Sequence, residues 1–166
     1  MEENWLDEHE MAAWLRLVAI AELLPGVLDS QLRRDAGLSH FEYFVLAMLS
    51  EVPDRTLRMT ALAQRTNATL ARLSHVVRRL EDRSLVERSP CPDDARATNA
   101  HLTDAGWDLV VAAAPGHVAN VRAHVLDGLT AEQVRHLAEV GDALLSRLDP
   151  QGRMTALYRP DVTRSR

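Results

Sequence analysis

The sequence predicts a mainly α-helical protein with one small β-hairpin. Three observations carry this. Apolar residues recur at helical spacing along most of the chain. Two short helical stretches stand close together in its middle, joined by Thr66-Asn67-Ala68. Directly after them come an alternating stretch, a turn-rich stretch and a second alternating stretch. Helix, tight connector, helix and hairpin in that order make a helix-turn-helix followed by a wing. The fold class read from this is a winged helix-turn-helix lobe with N- and C-terminal helices that form a dimerisation region.

From Trp5 to Ala36, the residues Met11, Trp14, Leu15, Val18, Ala21, Leu24, Leu28 and Leu32 keep helical spacing. Pro25-Gly26 interrupts the run. A proline inside a helix removes a hydrogen bond, so a kink or two abutting helices are expected. Gly37 reads as a helix stop. Ser39 reads as an N-cap, with Glu42 at the capping-box position. The helix it opens carries Phe41, Phe44, Val45, Met48 and Leu49 and ends before the turn Pro53-Asp54-Arg55-Thr56. Thr60 to Arg65 is the first helix of the motif. Thr69 caps the second, Leu70 to Arg83, whose expected buried stripe is Leu70, Leu73, Val76, Val77 and Leu80. Leu85 to Arg88 and Ala97 to Leu102 are the wing strands, with Pro90 to Asp94 as the turn. Thr103 caps a helix through Val110 that bends near Pro115-Gly116 and resumes to Leu126. Thr130 and Gln133 box the last helix, which carries Val134, Leu137, Val140, Leu144, Leu145 and Leu148. The winged lobe is thus placed at residues 37–114, the dimerisation region at 1–36 and 115–150, and a loose tail at 151–166. The apolar surplus at both chain ends points to a second copy of the chain, a homodimer.

Composition narrows the function. The chain has 166 residues, 46% apolar and 4% aromatic, enough for a core built on Leu, Val and Ala. No unbroken apolar run of about 18 residues is present, so no membrane contact is expected. The acidic start Met1-Glu2-Glu3-Asn4 is unlike a secretory signal, which points to the cytoplasm. Cys91 is the one cysteine, so an internal disulfide and a Cys-rich zinc site are excluded. The net charge of −5 hides an asymmetry: residues 1–54 carry −8, residues 55–96 carry +4 and residues 97–166 carry −1. The middle is a basic island, and every basic residue in it is arginine. No glycine-rich phosphate loop, nucleophile elbow or His-Glu-x-x-His segment occurs, so no catalytic residue, enzyme activity or cofactor is assigned. The seven histidines, His9, His40, His75, His101, His117, His124 and His136, lack metal-ligand spacing, and no metal is assigned.

Four short runs then match a family pattern in order and spacing. They are Leu62-Ala63, the run from Arg79 to Arg88, Asp94-Ala95-Arg96, and Leu102-Thr103-Asp104-Ala105-Gly106. Through them the segment Leu57 to Gly106 resembles the MarR family of bacterial regulators. Two positions depart from it. Ser84 stands where the family usually has glycine with φ > 0, and Ala95 stands where many members have a second wing arginine.

The resemblance implies a sequence-specific, double-stranded DNA-binding transcription regulator. It would be a ligand-responsive repressor acting as a homodimer on a pseudo-palindromic operator. With the apolar stripe buried, the second helix of the motif presents Ala71, Arg72, His75, Arg78, Arg79 and Asp82, a face sized for the major groove. Arg72 and His75 lie where base edges are reached; Thr69 and Ser74 reach phosphates. Arg96 at the wing tip enters the minor groove or meets phosphate, and Asp94 orients an arginine. A solvated amphipathic helix and a surface ion pair are the bland alternatives to these assignments. Relatives of this kind bind small, often aromatic, organic effectors between dimer helices and DNA lobes, and Trp14, His40, Phe41 and Tyr43 are the candidates to line such a pocket. Trp14 equally fits a core or subunit contact. Two other readings stay open: a helical dimeric interaction protein that does not bind DNA, and a redox-sensing regulator using Cys91, which equally fits an inert turn residue.

Overall fold

The structure is a computed structural model that describes residues 5–158. Its elements are α1 (Glu8–Ala36), α2 (His40–Ser50), β1 (Thr56–Arg58), α3 (Met59–Arg65), α4 (Leu70–Asp82), β2 (Val86–Cys91), β3 (Asp94–Leu102), α5 (Asp104–Val121), α6 (Ala131–Leu148) and α7 (Thr155–Tyr158). A π-helical turn, Arg122–Leu126, continues α5.

Local chemistry explains the ends. The Asp7 and Glu10 side chains box the start of α1. Gly37 ends it at φ 64°, and the Leu38 N–H reaches back to the Leu32 carbonyl. Ser39 with Glu42 and Thr130 with Gln133 form the two expected capping boxes, and Thr69 and Thr103 cap α4 and α5. Thr103 also donates to the Ser84 carbonyl at 2.8 Å, which ties the start of α5 to the end of α4. Ser84 adopts φ 57°, the left-handed conformation for which glycine is the usual residue. Gly106 lies so close to the Leu85 carbonyl that a Cβ there would stand 2.2 Å from its oxygen.

α1, α2 and α5 pack together and carry the motif α3–α4 and a three-stranded antiparallel sheet in the order β1-β3-β2. Thr56 pairs with His101 and Val86 with Leu102, so β3 is central. Leu32, Leu46, Leu49, Leu62, Leu80 and Leu102 are fully buried in this core.

Several expectations are corrected. The alternative of two abutting helices at Pro25 falls, since α1 is a single helix there. Ala21, whose carbonyl loses its helical partner there, is exposed, so water can satisfy it. The turn read at Pro53–Thr56 gives its last residue to β1, a strand without sequence alternation. The wing is longer than expected: β2 reaches Cys91, β3 starts at Asp94, and only Pro92 and Asp93 make the turn. Leu70 is 48% exposed, not part of the buried stripe, and Val76 is half-buried. Within the stretch read as a loose tail, α7 forms and an Asp149-centred turn precedes it; residues 159–166 lie outside the described residues. Finally, α1 is long and apolar enough to cross a membrane by length and composition, although no unbroken apolar run marks it.

Candidate nucleic-acid interface

The outer face of α4 is open. Ala71, Arg72, His75, Arg78, Arg79 and Asp82 are exposed, and Ser74 is half-buried. The Thr69 hydroxyl accepts the Arg72 N–H at 3.2 Å, so it serves the helix end first. Two of the arginines are held from below. The Arg72 guanidinium stacks 4.0 Å above the Phe41 ring. Arg79 pairs at 3.0 Å with Glu42, which is only 3% exposed and also caps α2. Arg79 therefore braces α4 against α2, while Arg72 is pre-positioned on an aromatic face near the N-terminal end of the recognition helix. Among the described residues Arg78 and Arg96 have no ion-pair partner.

Between α4 and the wing lies a groove of about 170 Å³, lined by Arg58, Met59, Thr60, Leu70, Ser74, Arg88, Arg96, Ala97 and Thr98. It brings Ser74 and Arg96 together as expected and adds Arg58 and Arg88. Arg88 is fixed by Glu81 at 2.6 Å, with the Arg88 N–H on the same carboxylate. Sequence reasoning misses Arg58 because it misses β1; the residue's place just before the first helix of the motif is the available signal. Exposed Leu70 belongs to this groove. Asp94 accepts the main-chain N–H of Arg96 at 3.1 Å rather than its guanidinium, so it shapes the wing tip instead of aiming the side chain. Cys91 is 6% exposed at the end of β2, packed away rather than offered to an oxidant as a sensing thiol must be.

The four pocket candidates do not meet. Trp14 is 53% exposed on the free half of α1, and Phe41 lies under Arg72. His40 and Tyr43 do meet, around a residue that the sequence does not point to, His117 of α5, while Gln31 of α1 lies beside the neighbouring Gly116. The His117 ring is 4.8 Å from Tyr43 and stacks at 6.4 Å on His40. His117 Nδ1 and Gln31 Oε1 are buried and make no hydrogen bond. Burial lowers the pKa of both histidines, and His40 further disfavours charge on His117. Burial raises that of Tyr43. Gly116 permits this approach, since a Cβ there would stand 3.2 Å from Gln31 Nε2.

Comparison with known proteins agrees with this architecture. The MarR family model matches residues 38–98. A MarR family regulator of Streptomyces coelicolor, Sco3205, solved in complex with DNA, is 44% identical with a TM-score of 0.85, covering 90% of this chain and 93% of that one. AbsC of the same organism is 34% identical with a TM-score of 0.82, covering 88% and 98%. The repressor YetL of Bacillus subtilis is 25% identical over 143 residues, 86% of this chain and 84% of that protein. With this fold, this exposed arginine-bearing helix and relatives this similar over nearly their whole lengths, the chain belongs to the MarR family of DNA-binding, winged helix-turn-helix transcription regulators.

Proposed function

We propose that the chain acts as a homodimeric, ligand-responsive repressor on a pseudo-palindromic operator. The observation that carries the reading is the continuous basic face formed by α4 and the arginine-lined groove beside the wing. Arg72 and His75 read base edges in the major groove; Thr69, Ala71, Ser74 and Arg78 line the approach to the backbone; Arg79 holds the helix. Arg96, on a tip shaped by Asp94, reaches the flanking backbone or minor groove. The DNA complex of the relative Sco3205 and the repressor name of YetL support this reading. Residues 37–114 form the DNA lobe, and residues 1–36 and 115–150 the dimerisation region.

The second copy covers the bare apolar faces. Trp14, Ile20 and Leu23 on α1 and Leu137, Val140 and Leu144 on α6 are exposed in the single chain. The same faces account for the membrane-like composition of α1. The effector site is the cluster Gln31, His40, Tyr43 and His117, whose two unpartnered polar atoms suit a small organic molecule with an aromatic ring and a polar end. A ligand there would bias the spacing of the recognition helices through its unequal affinity for the two arrangements. The role is binding and control in the cytoplasm, without catalysis.

The test is a gel shift on the DNA upstream of the chain's own gene across a salt series. Binding should weaken steeply as salt rises. Arg72→Ala should cost about 1–3 kcal/mol on the operator and much less on random DNA. Equal losses on both would remove Arg72 from base reading.

A further inference from the structure

The recognition helix carries an arginine stripe beside its open face. Arg72, Arg79 and Arg83 stand at i, i+7 and i+11, which places them on one side of the helix axis. All three reach back to the same short stretch, the junction of α1 and α2. Arg72 stacks 4.0 Å over Phe41. Arg79 meets Glu42 Oε1 at 3.0 Å, while Glu42 Oε2 accepts the Ser39 N–H at 2.7 Å. The Arg83 guanidinium donates to the Gly37 carbonyl at 2.9 Å. The inner side of α4 rests on the core through Leu73, Val77 and Leu80. Apolar packing is non-directional, whereas a stacked guanidinium and charged hydrogen bonds are not. The core therefore sets the depth of α4, and the arginine stripe sets its rotation about its own axis.

The other side of the same turn faces the histidine cluster. His40 and Tyr43 lie three residues apart on one side of α2, against His117. Phe41 and Glu42, between them in sequence, point the other way, to Arg72 and Arg79. The His40 N–H is held by Asp29 Oδ1 at 2.9 Å, so the turn is also tethered to α1. The Tyr43 and His117 rings are 4.8 Å apart, a contact distance that leaves no room for a third ring. A ring that enters there must push the turn away from α5. A close-packed interior passes such a displacement on rather than absorbing it, so Phe41 and Glu42 move with the turn.

We propose that the first turn of α2, through Phe41 and Glu42, positions the recognition helix and carries the occupancy of the histidine cluster to it within one subunit. Phe41 and Glu42 are positioning residues, which act through Arg72 and Arg79. The proposal rests on the reading of the cluster as the effector site of a DNA-binding protein. To a change in spacing between the two recognition helices it adds a change within each, a rotation of α4 that takes Arg72 off its base edge. What is lost is then base preference, more than contact with phosphate.

The experiment uses the full chain and a covalent stand-in for the ligand, His117→Trp, whose larger ring presses on Tyr43 and His40. Affinity is measured for a duplex from upstream of the gene, for the same duplex with a base pair added or removed between its half-sites, and for a random duplex. Melting temperature is followed in parallel. His117→Trp should lower the preference for the upstream duplex over the random one by about fivefold or more. In the background Phe41→Leu, Glu42→Gln the same substitution should change that preference by less than about twofold. Glu42→Gln keeps an acceptor for the Ser39 N–H and removes the charge opposite Arg79. Phe41→Tyr keeps a ring under Arg72 and should respond to His117→Trp as the unaltered chain does. Tyr43→Trp presses from the other ring and takes the place of His117→Trp if that variant melts too low to assay. Equal losses in the two backgrounds overturn the proposal, as does a Phe41→Tyr chain that no longer responds. A loss restored by the altered half-site spacing also overturns it, since the whole effect would lie in the distance between subunits; the effector site then stands. A folded His117→Trp chain with unchanged preference removes the cluster from control of DNA binding, and the proposal falls with it. If the unaltered chain prefers neither duplex, the reading of the chain as a sequence-specific regulator falls first.

Discussion

The winged lobe and the terminal helices draw on the same Leu, Val and Ala but complete their packing differently. Among the described residues every buried apolar side chain lies between Leu28 and Ala113. α6 buries no residue, and α1 buries none before Leu28. In the lobe each apolar stripe meets another from the same chain. On the terminal helices Trp14, Ile20, Leu23, Leu137 and Val140 face outward. The lobe, together with the last turns of α1 that carry Leu28 and Leu32, therefore completes its core within one chain, whereas on the proposed reading the rest of the terminal helices complete their packing through a second copy. Their stability then depends on protein concentration, and that of the lobe depends on it much less.

The largest expected effect breaks this contrast at α6. Leu137 and Leu144 lie two turns apart on one helical face. The double change Leu137→Asp, Leu144→Asp should give a monomer in sedimentation while the lobe stays folded. Operator affinity should fall about 100-fold or more, because two linked half-site contacts exceed one by roughly that factor. A variant that remains dimeric would show that the bare face of α6 is not the seam.

The next effect belongs to the lobe. Gly106→Ala would place a Cβ 2.2 Å from the Leu85 carbonyl oxygen and 2.6 Å from Leu102 Cδ1. Both neighbours are buried, so α5 must shift away from the end of α4. A loss of about 2–3 kcal/mol is expected, which is about 5–10 °C in melting temperature for a chain of this size. Unlike the α6 variant, this loss should not depend on protein concentration. A concentration-dependent loss would mean that lobe and dimer do not fold separately.

A smaller effect lies where the two regions join. Burial lowers the pKa of both His40 and His117, His40 lowers that of His117 further, and Asp29 opposes the shift at His40. Their folded pKa values lie below the ordinary value of about 6.5. The unfolded chain therefore binds more protons on the acid side, and stability falls as pH drops below that value. His117→Phe keeps a ring against Tyr43 and removes one titrating group. Its melting temperature should fall less than that of the unaltered chain between about pH 7 and pH 5. Equal slopes would mean that the histidine pair contributes nothing to the acid sensitivity.

The same contrast explains what is legible in the sequence. Caps are local chemistry, so the boxes at Ser39 and Thr130 and the caps at Thr69 and Thr103 can be read from neighbouring residues. The box at Asp7 and Glu10 is equally local, but the apolar stripe beginning at Trp5 overruns it. The wing is underestimated because Pro90 reads as a turn residue. It sits in β2, an edge strand, where a missing N–H is tolerated. Contacts across the fold leave no local trace. Nothing near His40 announces His117, and nothing near Arg79 announces that Glu42 holds it. The outward face of α4 can be read, but the division of its arginines into bracing and free ones cannot.

The smallest effect compares two helix ends inside the lobe. α1 stops at Gly37 with φ 64°, and α4 ends at Asp82, just before Arg83 and Ser84, of which Ser84 holds φ 57°. Gly37 and Ser84 both turn the chain through the left-handed region, but only glycine is suited to it. A Cβ in that region costs on the order of 1 kcal/mol or more. Ser84 is exposed, its N–H donates to the Glu81 carbonyl at 2.8 Å and its own carbonyl accepts from Thr103. Those are main-chain groups of Ser84, so Ser84→Gly keeps both bonds. Part of the gain is offset because glycine is freer in the unfolded chain, by about 0.4–1 kcal/mol. The net expectation is a stabilisation of about 0.5 kcal/mol, or about 1–2 °C in melting temperature. Gly37→Ala should move the other way by about 1 kcal/mol, since it adds the Cβ that Ser84→Gly removes. Thermal melts of the two variants side by side measure the pair. If Ser84→Gly lowers the melting temperature, the serine side chain holds the end of α4 and the two helix stops are not equivalent.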